Sequence, residues 1–184
     1  MSSITSEEFT LKNGKRVTIR SVEPADFQAQ MDFRNQFKLE TIFTWHTPLT
    51  VPVESETKKF IMQTLNSSKE SFIGVFYEKR MIAQVGIHMF LGRQHPWTEH
   101  AGRFGMAILK EYWRQGLGFK LLAVMEKEMK RMGYKVIHAE VRSINSGALN
   151  LYTKFGFEVT GTQKKAAMIE GKYYDDFLIF KEIR

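Results

Sequence analysis

The chain has 184 residues, 43% of them hydrophobic and 26% charged, and its 27 basic and 20 acidic side chains give a formal charge of +7. This is globular composition with enough length for one substantial core, which excludes disordered and fibrous classes. Cysteine is absent, so disulfides, zinc–thiolate sites and a cysteine nucleophile are excluded as well.

No apolar run approaches the ~20 residues of a membrane helix. The first eight residues have neither a basic n-region nor an apolar h-region, so a cytoplasmic protein without a membrane partner is expected. The basic residues are scattered and form no arginine-rich arm. That is the pattern of a solvated surface with one local anion site, and it disfavours a nucleic-acid-binding module. Without repeats or linkers, residues 1–184 read as a single domain.

In chain order, Phe9 to Leu11 and Val17 to Val22 read as strands around an Asn13-Gly14 hairpin turn. Glu23-Pro24-Ala25-Asp26 opens a helix whose apolar positions are Phe27, Met31, Phe33 and Phe37. From Glu40 to Val53 the pattern dissolves into an aromatic stretch that includes Phe43, Trp45 and His46. It reads either as a loop over a pocket or as a loop that merely covers core. A short helix spans Glu54 to Leu65, and strands follow at Ser71 to Tyr77 and Met81 to Leu91. The next loop holds His95 and His100, but no third ligand has suitable spacing, so these are surface histidines and no metal is expected.

Phe104 to Leu109 is a buried strand, followed by Trp113-Arg114-Gln115-Gly116-Leu117-Gly118. Then Leu117, Leu121, Val124, Met125, Met129 and Met132 recur at helical spacing, with Lys120, Lys127, Lys130 and Arg131 on or near the other face. Glycines at a helix N-terminus leave N–H groups uncovered at the positive end of the dipole, which suits a phosphate. An ordinary glycine turn is the competing reading. Lys135 to Arg142 is the next strand, and strand–helix–strand at this spacing implies two parallel neighbours. Ser143 to Ser146 caps a helix from Gly147 to Lys154, a strand runs from Phe155 through Val159, and Ala166 to Ile169 and Tyr174 to Ile183 form a closing hairpin around Glu170-Gly171-Lys172.

Two segments carry the chemistry. Arg114-Gln115-Gly116-Leu117-Gly118 resembles the pyrophosphate loop of the GNAT superfamily of N-acetyltransferases. Asn145-Ser146-Gly147-Ala148-Leu149-Asn150-Leu151-Tyr152 with Phe155-Gly156-Phe157 resembles its Asn-x-x-Ala-x-x-Leu-Tyr-x-x-x-Gly-Phe segment. Lys172-Tyr173-Tyr174-Asp175-Asp176 is similar to the branch holding ribosomal-protein and spermidine N-acetyltransferases. Trp113 stands where the superfamily usually has Gln or Arg, so the backbone N–H groups of Arg114 to Phe119, assisted by Arg114, would hold the pyrophosphate.

The resemblance implies an α/β (α+β) GNAT fold, with a mixed, mostly antiparallel sheet splayed in a V and flanked by helices. It implies acetyl-CoA as cosubstrate and direct transfer to a primary amine, on a small molecule, a polyamine or a protein N-terminus. In this likeness Tyr152 is the acid toward the thiolate, and Asn145 and Ala148 lie by the pantetheine arm. Met106, Ala107 and Ile108 pair with its amides. Glu140 is placed as base or as a plain solvent-facing residue, with Glu99 a weaker base candidate. Phe43, Trp45 and His46 are placed over the acceptor, and a homodimer is left open. The chain independently lacks a Gly-x-Ser-x-Gly elbow and any cysteine, which leaves direct attack by the amine. The rival reading is a non-catalytic acyl-CoA-binding regulator on the same fold.

Overall fold

Strands β1 (Glu7–Thr10) and β2 (Arg16–Ser21) form the expected hairpin, with Gly14 at φ 84° in the turn. A 3₁₀ turn at Pro24–Asp26 leads into α1 (Phe27–Glu40), and α2 (Glu54–Asn66) precedes β3 (Ser71–Tyr77) and β4 (Arg80–Met89). The centre consists of β5 (Ala101–Ile108), α3 (Leu117–Arg131) and β6 (Val136–Arg142). Helix α4 (Ser146–Lys154), β7 (Glu158–Ile169) and β8 (Lys172–Glu182) complete the chain. The structure, a computed structural model, describes residues 3–43 and 53–184. Among the described residues no helix is long and apolar enough to cross a membrane.

The strands form one sheet in the order β1-β2-β3-β4-β5-β6-β8-β7. Every pairing is antiparallel except β5 with β6, as the helical crossover between them requires. That parallel pairing covers only Ala101–Arg103 against Val136–His138. Beyond it β5 stays paired to β4 and β6 to β8, so the sheet opens between Phe104–Ile108 and Ala139–Arg142. The expected V lies there.

Alternation along the strands gives the sheet two working faces. On one, Gly102 faces Met129 of α3, and Ile108 lies near Gly118 at the start of α3. Leu117, Leu121, Leu122, Met125 and Met129 of α3 are buried against this face. Each such side chain contributes about 1.5–3 kcal/mol when fully buried. On the other face, Phe60 of α2 packs on Phe72 of β3, and α1 lies against β4.

Two sequence expectations need correction. In α1 the buried residues are Gln30, Phe33 and Phe37, while Phe27 and Met31 are only half-buried. The inward stripe includes a glutamine, which a purely apolar pattern discards, because that stripe borders a cavity. Residues 158–169 also form one strand, not a short strand and a separate hairpin arm. Register shifts at Val159/Gly161 and Gln163/Ala167 hold β7 alongside β8, and such bulges break the alternation that a sequence pattern relies on.

Candidate active site

Helix α3 starts behind Gly116, whose φ of 83° is left-handed and suits glycine. No side chain caps this end and no acid lies in the first turn. The first-turn N–H groups therefore remain available at the positive end of the dipole. Arg114, at φ 61°, shapes the preceding turn, and the Trp113 indole N–H donates to the Ile108 carbonyl at 2.7 Å, tying that turn to the end of β5. Gln115 faces the β1–β2 turn instead. Its carbonyl accepts from the Lys12 N–H at 3.3 Å and its side-chain oxygen accepts from the Asn13 N–H at 3.1 Å. This contact carries Lys12 to the wall of the same cavity.

That cavity has a volume of about 1260 Å³ and runs from the α3 N-terminus through the V to the face under α1 and α2. It exceeds the ~300–1,000 Å³ of ordinary small-molecule pockets, so it has room for two ligands side by side. Tyr152 of α4 lies on its wall. The ring is held edge-on by Phe104 at 5.6 Å and Phe157 at 5.8 Å, and burial pushes the phenol up to about 12. Tyr152 therefore stays protonated at neutral pH. Asn145 caps α4, its side-chain oxygen accepting from the Ala148 N–H at 3.1 Å.

The part of the cavity under α1 and α2 is floored by Gln84, Gly86 and His88 of β4, Arg103, Gly105 and Ala107 of β5, and Glu140 and Arg142 of β6. Arg103 donates to Glu140 at 2.9 Å across the strand gap. Arg142 and Asp176 form a buried pair at 3.3 Å, and burial raises the Asp176 carboxyl against the pull of Arg142. From above, Arg34 of α1 and Glu56 of α2 face the same space. Burial lowers the pKa of Arg34. It also lowers that of His88, where Glu70 pulls upward and Arg103 downward.

The Acetyltransferase (GNAT) family profile matches residues 38–157. The chain belongs to the GNAT acetyltransferase family. Among curated relatives, it is 39% identical over 126 residues to the beta-lysine N(6)-acetyltransferase of Methanococcus maripaludis, covering 68% of this chain and 44% of that protein. The chain thus spans about half the length of the curated relatives it matches. Among solved structures, a GNAT-family acetyltransferase from Streptococcus pneumoniae superposes with TM-score 0.85 at 29% identity, covering 91% of this chain and 99% of that one. YncA from Salmonella typhimurium, solved with its cofactor acetyl-CoA, gives TM-score 0.78 at 20% identity, covering 91% and 94%.

Within this GNAT fold, most of the expected site residues line one cavity: Phe43, Met106, Ala107, Ile108, Arg114, Gly116, Gly118, Phe119, Glu140, Asn145, Ala148 and Tyr152. Gln115 and Leu117 enter the expectation through their backbone N–H groups. The Gln115 side chain is engaged with Asn13 and Leu117 is buried in the core, so only their backbones face the loop. The Ile108 carbonyl accepts from the Trp113 indole N–H. Trp45 and His46 lie outside the described residues. Of the loop histidines, His95 packs on Trp97 at 5.7 Å, and among the described residues no three metal-binding side chains converge. Sequence reading missed Lys12, Arg34, Gln84, His88 and Lys154, all on the cavity wall. Lys154 stands at an unspecified position of the Asn145–Phe157 segment, and chain folding alone brings the others to the site.

Proposed function

We propose that this chain catalyses acetyl-CoA-dependent N-acetylation of a primary amine. One observation carries the reading: a single cavity joins the uncapped α3 N-terminus, the open β5–β6 gap and Tyr152. The first anchors a pyrophosphate through backbone N–H groups, with Lys12 and Arg114 adding positive charge. The gap leaves β5 with an edge free of β6 beyond Arg103, where an extended pantetheine arm can lie as an added strand.

The acceptor enters from the α1–α2 side. That wall carries charges of both signs, Glu56, Glu70 and Glu140 with Arg34, Arg103 and Arg142. A small amine that also bears a carboxylate fits such a wall better than a polycation does. The amine attacks the thioester carbonyl directly, forming the C–N bond and breaking the C–S bond. Because a Tyr152 phenolate is unfavourable, the hydroxyl serves as a relay: it protonates the departing sulfur as it takes a proton from the nitrogen. The ammonium must first lose another proton, and Glu140 and His88 are among the groups on this wall that can accept it.

The test is release of free CoA thiol from acetyl-CoA with a panel of amino acids, β-lysine, spermidine and an alanine-initiated peptide. Tyr152→Phe should lower kcat by ~30-fold or more, within the range of acid catalysis, with little change in acetyl-CoA affinity. Tight acetyl-CoA binding without turnover of any amine would instead identify the non-catalytic regulator.

A further inference from the structure

Across the acceptor floor three side chains stand on neighbouring strands. His88 of β4 is the register partner of Arg103 of β5, and Arg103 donates to Glu140 of β6 at 2.9 Å. Glu140 thus has a guanidinium as its immediate neighbour, whereas His88 has a carboxylate. His88 Nδ1 lies 3.8 Å from Oε1 of Glu70, the residue before β3. Phe60 of α2 covers the ring, centroid to centroid at 6.2 Å. This places the carboxylate at Nδ1 and leaves Nε2 as the second nitrogen.

Two glycines fix where Nε2 sits. Gly86 and Gly105 are opposed in register. A Cβ built on Gly86 would stand 2.8 Å from His88 Nε2, so the imidazole leans over Gly86. A Cβ on Gly105 would meet nothing within 4 Å. The floor beside Nε2 is therefore bare, and the bare patch lies at the residue after Phe104, just where β5 parts from β6. An amine reaching for a thioester in the gap passes over that patch.

We propose that His88 is the proton acceptor for the incoming ammonium, with Glu70 as its positioning residue; the proposal rests on the N-acetyltransferase reading. In this step R–NH₃⁺ gives one proton to His88 Nε2, and Glu70 stabilises the imidazolium. The free amine then forms the C–N bond as the C–S bond breaks. Its second proton reaches sulfur through the Tyr152 relay, and His88 later releases its proton to water. Amide, CoA thiol and one proton leave, so atoms and charge balance. Among the described residues, His88 is the only histidine lining the cavity. The charged groups facing it are Glu70 before β3, Arg103 of β5 with Glu140 behind it, and Glu56 of α2 on the same wall. Burial lowers the imidazole pKa, which favours the neutral form that a base requires.

The experiment is the pH profile of kcat/KM, with acetyl-CoA and the most active amine of the panel above. Wild-type activity should fall at acid pH as the base becomes protonated, on a limb below the ordinary histidine value of about 6.5 because burial lowers the His88 pKa. His88→Asn should abolish that limb and lower kcat by ~100-fold or more, with acetyl-CoA affinity unchanged by calorimetry. Glu70→Gln should move the limb to lower pH, because removing the carboxylate removes the influence that raises the His88 pKa. Gly86→Ala, which displaces the imidazole while leaving it in place chemically, should reproduce the kcat loss. Persistence of the limb and rate in His88→Asn, or loss of the limb in Glu140→Gln alone, would overturn the assignment and leave the enzyme reading intact. A wild type that binds acetyl-CoA yet releases no thiol with any amine of the panel would overturn both.

Discussion

The two glycines of the Arg114–Gly118 segment have different physical reasons. Gly116 needs its left-handed φ of 83°, and a Cβ there would come no closer than 3.8 Å to Phe9. Gly118 lacks that constraint, but a Cβ would come within 2.8 Å of a Leu151 methyl. It is glycine because α3 and α4 approach closely. Gly116→Asp should therefore act on the cosubstrate, adding strain, bulk and negative charge where a pyrophosphate would sit. Calorimetry should show acetyl-CoA binding weakened at least ~10-fold, about 1.4 kcal/mol. A folded Gly116→Asp protein with wild-type affinity would remove the anion site from α3.

At the level of elements, an ion pair ties the end of β2 to the turn that opens α1. Arg20 of β2 lies over the Phe76 ring at 4.0 Å and donates to both Asp26 oxygens at 2.6 and 2.7 Å. Asp26 also accepts from the Glu23 N–H at 2.8 Å and so closes the turn that opens α1. Burial pushes the Asp26 carboxyl up, but Arg20 and the Glu23 N–H outweigh it and the pKa is lowered. A lowered carboxylate contributes stability that is present above its unfolded value, near 3.8, and lost as pH falls through its folded value. Asp26→Asn should cost about 1.5–3 kcal/mol, as expected for hydrogen bonds to a charged group. Urea unfolding should show a lower midpoint with an unchanged slope. A stability equal to wild type would mean that α1 is anchored only by Phe33 and Phe37.

For the molecule as a whole, the histidines set the sign of the pH response near neutrality. Burial lowers the pKa of both His88 and His138. Between their folded values and the unfolded value of about 6.5, the unfolded chain binds more protons, so stability rises with pH in that window. The melting temperature should therefore fall as pH is taken from 7 toward 5.5. The double variant His88→Asn/His138→Asn should flatten that slope. An unchanged slope would assign the response to other groups.

The sequence by itself determined what depends on neighbouring residues. Leu117, Leu121, Met125 and Met129 fall on one face because a helix repeats every 3.6 residues. Asn13-Gly14 fixed a turn, and Asn145 fixed the start of α4 through its bond to Ala148. The Asn145–Phe157 segment carried the family because those residues act within about three helical turns of one another. Only the tertiary structure decided the part of the cavity under α1 and α2. Its contacts join residues far apart in the chain, such as Arg103 with Glu140, and strand register places His88 on the Arg103 row. No local periodicity encodes such pairings, because register depends on which strands meet and which face is buried. Gln30 shows the same limit from the other side: its polarity argues for the surface, yet the cavity beside α1 is what buries it.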